Sequence, residues 1–161
     1  MSDDQRLEER GGAEVRIPPP IYYLVAVTLG VALDWLWPLG FAPGSGLRIA
    51  LGVAAVCGGV AVLLGAFTVF RRMGQHPDPR KPTPTIGRDG PYRFTRNPMY
   101  LGTSLVQLGL GIALANAWIV LLLIPVVLVI HYGAILPEER YLEERFGDEY
   151  TSFKASVRRW I

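Results

Sequence analysis

Four apolar runs, at about Ile21 to Trp37, Leu47 to Phe70, Met99 to Ala115 and Ala117 to Leu136, constrain this chain more than any motif does. Each is close to the roughly 17 to 25 residues that a bilayer core requires of a helix, and a water-filled barrel has no use for runs of that length. With half of the residues hydrophobic and a mean hydropathy of +0.28, the expected fold is all-α. It is a polytopic helical membrane protein of about four transmembrane helices plus a C-terminal amphipathic helical segment.

The cations give that bundle an orientation. Fifteen of the sixteen Lys and Arg lie in the N-terminal tail, the loop between spans 2 and 3, or the C-terminal segment, and only Arg48 falls on the other side. The positive-inside bias then puts both termini and the middle loop in the cytoplasm. Three parts follow: a flexible cytoplasmic tail (1–20), a transmembrane hairpin of spans 1 and 2 (21–70), and a core of loop, spans 3 and 4 and amphipathic segment (71–161). A net charge of +2 is too small to argue for nucleic acid, whereas the clustering suits anionic lipid heads.

Several site classes are excluded early. The single cysteine, Cys57, sits in an apolar span and reads as a small hydrophobe, and with no CxxC or His cluster no metal site is expected. The first 20 residues lack the apolar stretch of a cleavable signal, so the first span is expected to stay as an anchor.

Span 1 ends in Asp34, Trp35, Trp37 and Pro38, an interfacial aromatic belt with a carboxylate placed to pair with Arg48. The Gly- and Pro-rich turn from Leu39 to Gly46 makes spans 1 and 2 an antiparallel hairpin. In span 2, Ala54, Gly58, Ala61 and Gly65 form a stripe of small residues that invites close helix packing. The loop from Arg71 to Arg96 holds Pro77, Pro79, Pro82 and Pro84, has no regular period, and contains a lone His76 that reads as solvated. A turn at Asn116 leaves almost no loop between spans 3 and 4, Pro125 should kink span 4 or free a carbonyl there, and His131 lies near its inner end, where it lines a cavity or hydrogen-bonds at the interface.

Two stretches carry chemistry. Gly90-Pro91-Tyr92-Arg93-Phe94-Thr95-Arg96-Asn97-Pro98-Met99-Tyr100-Leu101-Gly102 runs from a turn into span 3, with Asn97 at the cap and Pro98 at the first helical position. After Pro137 come Glu138 and Glu139, followed by Leu142, Phe146, Tyr150, Phe153, Val157 and Trp160 at helical spacing across a break at Gly147. Carboxylates there also complement a helix dipole. The tight hairpin brings the two stretches to one cytoplasmic opening.

With these residues the chain resembles the membrane methyltransferase family that includes isoprenylcysteine carboxyl methyltransferases and phosphatidylethanolamine N-methyltransferases. The likeness covers roughly Thr85 to Trp160 and rests on Gly90-Pro91-Tyr92, Arg96 to Gly102, Glu138-Glu139 and Phe146 to Val157. It implies an S-adenosylmethionine site on the cytosolic side, with Thr85, Ile86, Gly87, Tyr92, Asn97, Pro98, Met99, Tyr100 and Glu138 as cofactor contacts. Arg96, His131 and Glu139 would face an apolar or lipid-like acceptor, and Arg96 equally suits the cofactor's anionic part or a lipid phosphate. Catalysis by a dedicated acid or base is not implied, since methyl transfer is mainly a matter of positioning.

Departures bear on the acceptor. The prenylcysteine enzymes look to have His where this chain has Asn97 and a substrate-binding Arg where it has Ala134, while the phospholipid enzymes share the Asn-Pro-Met-Tyr wording. The expected activity is S-adenosylmethionine-dependent methyl transfer to a thiol, carboxylate or amine of a small or lipid-like acceptor. The alternatives are an NADPH-dependent membrane reductase of similar architecture and a non-catalytic membrane scaffold.

Overall fold

A computed structural model describes residue 15 and residues 17–40, 44–74 and 83–161. His76, Pro77, Pro79, Pro82 and most of the tail lie outside the described residues, as does the centre of the first turn. Among the described residues the structure is helical, without strands. Its helices are α1 (Pro19–Leu36), α2 (Ser45–Arg72), α3 (Pro98–Ala113), α4 (Ala117–Ile130), α5 (Leu136–Phe146) and α6 (Asp148–Ser156). A 3-10 turn spans Gly90–Arg93, and a π-helical turn, His131–Ile135, joins α4 to α5 without a break.

Three stretches are long and apolar enough to cross a bilayer: Pro19–Leu36, Ser45–Arg72 and Ala117–Phe146. Only 17–28% of each apolar window is buried; α1 and α2 turn most of their Leu, Val and Ile outward and the third stretch exposes Leu121, Ile124, Leu128 and Val129, which lipid favours and water does not. The fourth expected span forms α3. At 16 residues it is about 24 Å long, against a hydrocarbon core of about 30 Å. No residue of α3 is exposed, so the stretch too short to qualify as a span is also the best covered.

The chain divides into two compact units. One comprises Pro19–Leu63 and Met99–Ile130. Within it α1 packs on α4, and α2 runs antiparallel to α3 through paired glycines seven residues apart. A Cβ placed on Gly59 would lie 2.6 Å from the Gly102 carbonyl oxygen, and one on Gly52 would lie 2.7 Å from that of Gly109. No side chain larger than hydrogen fits such backbone contact. This corrects the expected stripe: Ala54, Gly58 and Ala61 are exposed, and Gly58 has nothing within 4 Å. Close approach is set instead by the seven-residue spacing of Gly52 and Gly59, which recurs in Gly102 and Gly109.

Buried polar groups tie the same unit together. The Asn116 side chain accepts the Ile119 N–H (3.0 Å), capping α4, and donates to the Gly30 carbonyl of α1 (3.2 Å). The reversal before it uses Ala115 at φ 56°, so the tight hairpin of α3 and α4 is made as expected. Tyr23 meets Ser104 (3.0 Å) and donates to the Tyr100 carbonyl (3.2 Å), and Gln107 donates to the Ile119 carbonyl (3.0 Å). Helix α4 continues through Pro125, whose ring leaves the Leu121 carbonyl without its helical partner. The Asp34 carboxylate accepts the Leu39 N–H (3.1 Å), closing the turn after α1, and makes no ion pair with Arg48 among the described residues.

The glycine contacts give a graded test. Gly59→Ala should destabilise the protein by about 1–3 kcal/mol through overpacking, whereas Gly58→Ala should be neutral or stabilising by about 0.5–1 kcal/mol. Unfolding of both variants in mixed micelles checks this, and equal effects would overturn the glycine contact.

Candidate active site

The other unit, comprising Met1–Pro18, Leu64–Pro98 and His131–Ile161, gathers most of the chemistry-bearing residues. Its local geometry starts from prolines and glycines. Gly90 at φ 55° lets the chain enter the Gly90–Arg93 turn, and Pro91 occupies the start of that turn. Tyr92 is thereby directed inward, buried and stacked on Phe70 with ring centroids 5.8 Å apart. Helix α3 then begins at Pro98, as the Asn97-Pro98 pair requires.

The acids are set by another proline. Pro137 lacks an N–H and would crowd the carbonyl four residues back. The His131–Ile135 turn is π-helical immediately before it, which relieves that crowding and resets the helix phase. Glu138 and Glu139 follow in the first turn of α5. Gly147, at φ 50°, ends α5 and starts α6, so the break read from sequence is a left-handed glycine. Tyr150 and Phe153 of α6 turn inward.

Glu139 is the hub. Its carboxylate takes a bidentate pair from Arg159, Nε at 2.9 Å and Nη2 at 2.7 Å, and its Oε1 also meets Arg96 Nη2 at 3.3 Å. The side chains of Arg96 and Glu139 are 7% and 6% exposed, so this pair is held out of water and its geometry matters. The segment after α6 returns along the helix start. Arg96 N–H donates to the Arg158 carbonyl (3.0 Å), while Thr95 hydroxyl (3.1 Å) and Asn97 side-chain amide (3.0 Å) both donate to the Arg159 carbonyl. The Asn97 N–H is taken by the Thr95 hydroxyl (3.2 Å).

Outer contacts fasten the loop to α5 and α6. Thr83 N–H and Arg145 both donate to the Tyr141 hydroxyl (3.3 Å each). Arg88 pairs with Glu149 (3.2 Å), donates to its carbonyl and lies over the Phe153 ring. Lys154 pairs with Glu143. The Arg88 and Glu149 side chains are both more than half exposed, so that pair fixes geometry more than it stabilises.

The expected site residues thus fall in different settings. Arg96, Asn97 and Glu139 share one buried network. Glu138 lies near enough to Tyr92 for its charge to act on that phenol. Ile86 and Gly87 are half-buried and Thr85 is exposed; a Cβ on Gly87 would meet Met73 at 3.3 Å. Pro98 is fully buried. His131 sits in the π-helical turn, edge-on to Tyr132 at 4.9 Å. Met99 and Tyr100 open α3 in the other unit, where the Tyr100 carbonyl is already engaged by Tyr23. Two participants are not among the site residues expected from sequence: Arg159, which lies where the helical spacing runs on to Trp160 although the helix ends at Ser156, and Tyr150, which reads only as part of an apolar face.

Electrostatics follow from this packing. Burial, reinforced by the Glu138 charge, pushes the Tyr92 phenol well above its usual pKa, and burial together with the Glu139 charge does the same to Tyr150. Hydrogen bonding to Glu139 raises Arg159. The site therefore holds phenols that resist ionisation beside Glu138 and Glu139.

A match to the phospholipid methyltransferase family covers residues 47–149, more than half of the chain and both parts of this network short of Arg159. The chain belongs to that family. It is also 44% identical over 63 residues, 39% of this chain and all of the relative, to a protein of Haemophilus influenzae described as "Uncharacterized protein". Membership makes the chain a membrane methyltransferase in class, and it makes the Arg96–Glu139 region a candidate active site of that class.

Two outcomes test the network. Glu139→Gln leaves two guanidiniums without their shared carboxylate and should cost about 3–5 kcal/mol of stability. Because the Tyr92 and Tyr150 values are raised in the folded chain, the stability they contribute is complete below the ordinary phenol pKa of about 10 and is lost as pH climbs above it. Tyr150→Phe should soften that alkaline loss and remove one late-titrating phenol from the tyrosinate absorbance curve; an unchanged curve would contradict this.

Proposed function

We propose that this member of the family is an S-adenosylmethionine-dependent methyltransferase acting on a small or lipid-like apolar acceptor at the cytosolic face of a membrane. The observation that carries the reading is a buried, charge-bearing network, built from the helix start at Asn97-Pro98 and the acids after Pro137, within a chain of the phospholipid methyltransferase family.

The residues present suit the cofactor's chemistry. Its ammonium and sulfonium charges match a site holding Glu138 beside phenols that stay neutral, since Tyr92 and Tyr150 are both held protonated there. Glu138 is assigned to the cationic part; the Asn97 to Tyr100 helix start would meet the anionic part through the amides after Pro98, since Pro98 has no N–H and that of Asn97 is taken by Thr95, and Thr85, Ile86, Gly87 and Tyr92 would line the cofactor. When bound, the cofactor supplies an electrophilic methyl group. The protein's own contribution is to bind, orient and exclude water, with no general acid or base assigned. His131 and Glu139 are assigned to the acceptor side, Glu139 by holding Arg96 in place.

The cytosolic placement rests on the clustering of cations in the loop and the C-terminal segment. A reporter active only in the cytoplasm, fused after Ile161, should therefore be active.

The decisive experiment is a binding titration of the detergent-purified protein. It should bind S-adenosylmethionine, and Glu138→Gln should weaken binding about ten- to a hundredfold while the protein stays folded. No binding by the wild type, NADPH binding in its place, or unaltered affinity in the variant would overturn the reading.

A further inference from the structure

The Arg96 guanidinium is incompletely satisfied. Its Nη2 meets Glu139 at 3.3 Å, yet Nε and Nη1 are buried and have no hydrogen-bond acceptor. A guanidinium offers five N–H donors, cannot shed its proton, and loses its water at a penalty when nothing replaces it. Only Arg48 Nε and Gln107 Oε1 share this state among the described side chains, and neither stands in a charged network.

Charge counting points the same way. Arg96 and Arg159 share Glu139, so this trio carries one positive charge in excess, and Arg159 already takes both carboxylate oxygens. Glu139 keeps lone pairs beyond those two bonds, yet it reaches Arg96 only at Nη2. Meanwhile Thr95 and Asn97 on either side spend their side-chain donors on the Arg159 carbonyl, and the Arg96 N–H is held by Arg158. The backbone of Arg96 is pinned and its side chain is held at one nitrogen, leaving the other two preorganised for something that brings oxygen and negative charge.

We infer that Arg96 is the receptor of an oxyanion subsite, for a carboxylate or phosphate of a ligand, and that Glu139, itself fixed by Arg159, is the positioning residue that presents it. As an anion site it stands on this geometry alone. As part of the active site it rests on the methyltransferase reading, where the oxyanion is either the cofactor's carboxylate or the phosphodiester of a lipid acceptor.

Paired probes on the detergent-purified full chain separate these sources. One pair is S-adenosylmethionine and its decarboxylated analogue, the other is a short-chain phosphatidylethanolamine and the matching diacylglycerol, and inorganic phosphate serves as competitor. The wild type should prefer the oxyanion-bearing member of one pair by about ten- to a hundredfold, and the pair that shows this identifies the source. Arg96→Gln should bring that ratio close to one without altering affinity for the member lacking the oxyanion. Arg96→Lys keeps the charge and the Glu139 pair but not the donor geometry; it should lose most of the ratio, and it decides the matter if the Gln variant does not fold. Discrimination in neither pair, or discrimination surviving both substitutions, would overturn the subsite. A wild type that discriminates the lipids yet binds no S-adenosylmethionine would sink the methyltransferase reading while the subsite stands.

Discussion

The carboxylate of Glu139 is the point on which this half of the molecule depends. One buried acid joins three segments far apart in sequence: the loop that leads into α3 through Arg96, the first turn of α5 where it sits, and the segment beyond α6 through Arg159. A buried ion pair between two groups contributes little net stability, because desolvation offsets attraction. Its value lies in geometry, since the bidentate Arg159 contact admits one orientation of the acid and the acid in turn admits one placement of Arg96. The lipid-facing helices need no such device, because their backbone polar groups are satisfied within each helix.

The helical unit of α1 to α4 solves a different problem. Without a hydrophobic force between helices in lipid, association depends on contact and on satisfied polar groups. The paired glycines supply contact between α2 and α3, and Asn116, Gln107 and Tyr23 supply the polar ties. The short α3 fits this arrangement because, with no exposed residue, it has no need to match the bilayer thickness.

Sequence reading went furthest where local rules decide the outcome. Asn97-Pro98 starts a helix, Asn116 turns one back on the next, and Gly147 breaks the amphipathic segment, each because its own backbone preferences leave few alternatives. The small-residue stripe failed because Ala54, Gly58 and Ala61 sit on one side of α2 while the contact uses Gly52 and Gly59. Spacing within one helix cannot say which face a partner takes; the matching seven-residue interval at Gly102 and Gly109 was the available signal, and it required comparing two helices. The π-helical turn was not legible, since it answers to Pro137 and to tertiary packing together. Arg159 was hidden for a related reason: the helical spacing runs on through Val157 and Trp160, whereas the helix ends at Ser156 and Val157 is extended, so nothing local says that the chain returns to the helix start.

That return has a consequence for the site. Thr95, Arg96 and Asn97 belong to the stretch assigned to ligand binding, and each is hydrogen-bonded to Arg158 or Arg159. Two of the three contacts converge on a single carbonyl, so shifting residue 159 releases Thr95 and Asn97 together and, through Glu139, loosens Arg96 as well. The helix start and the segment beyond α6 are therefore one mechanical piece. Asn97, which by its position serves to open α3, spends its side-chain amide on holding that segment and its N–H on the Thr95 hydroxyl, so what it contributes is the placement of its neighbour Arg96.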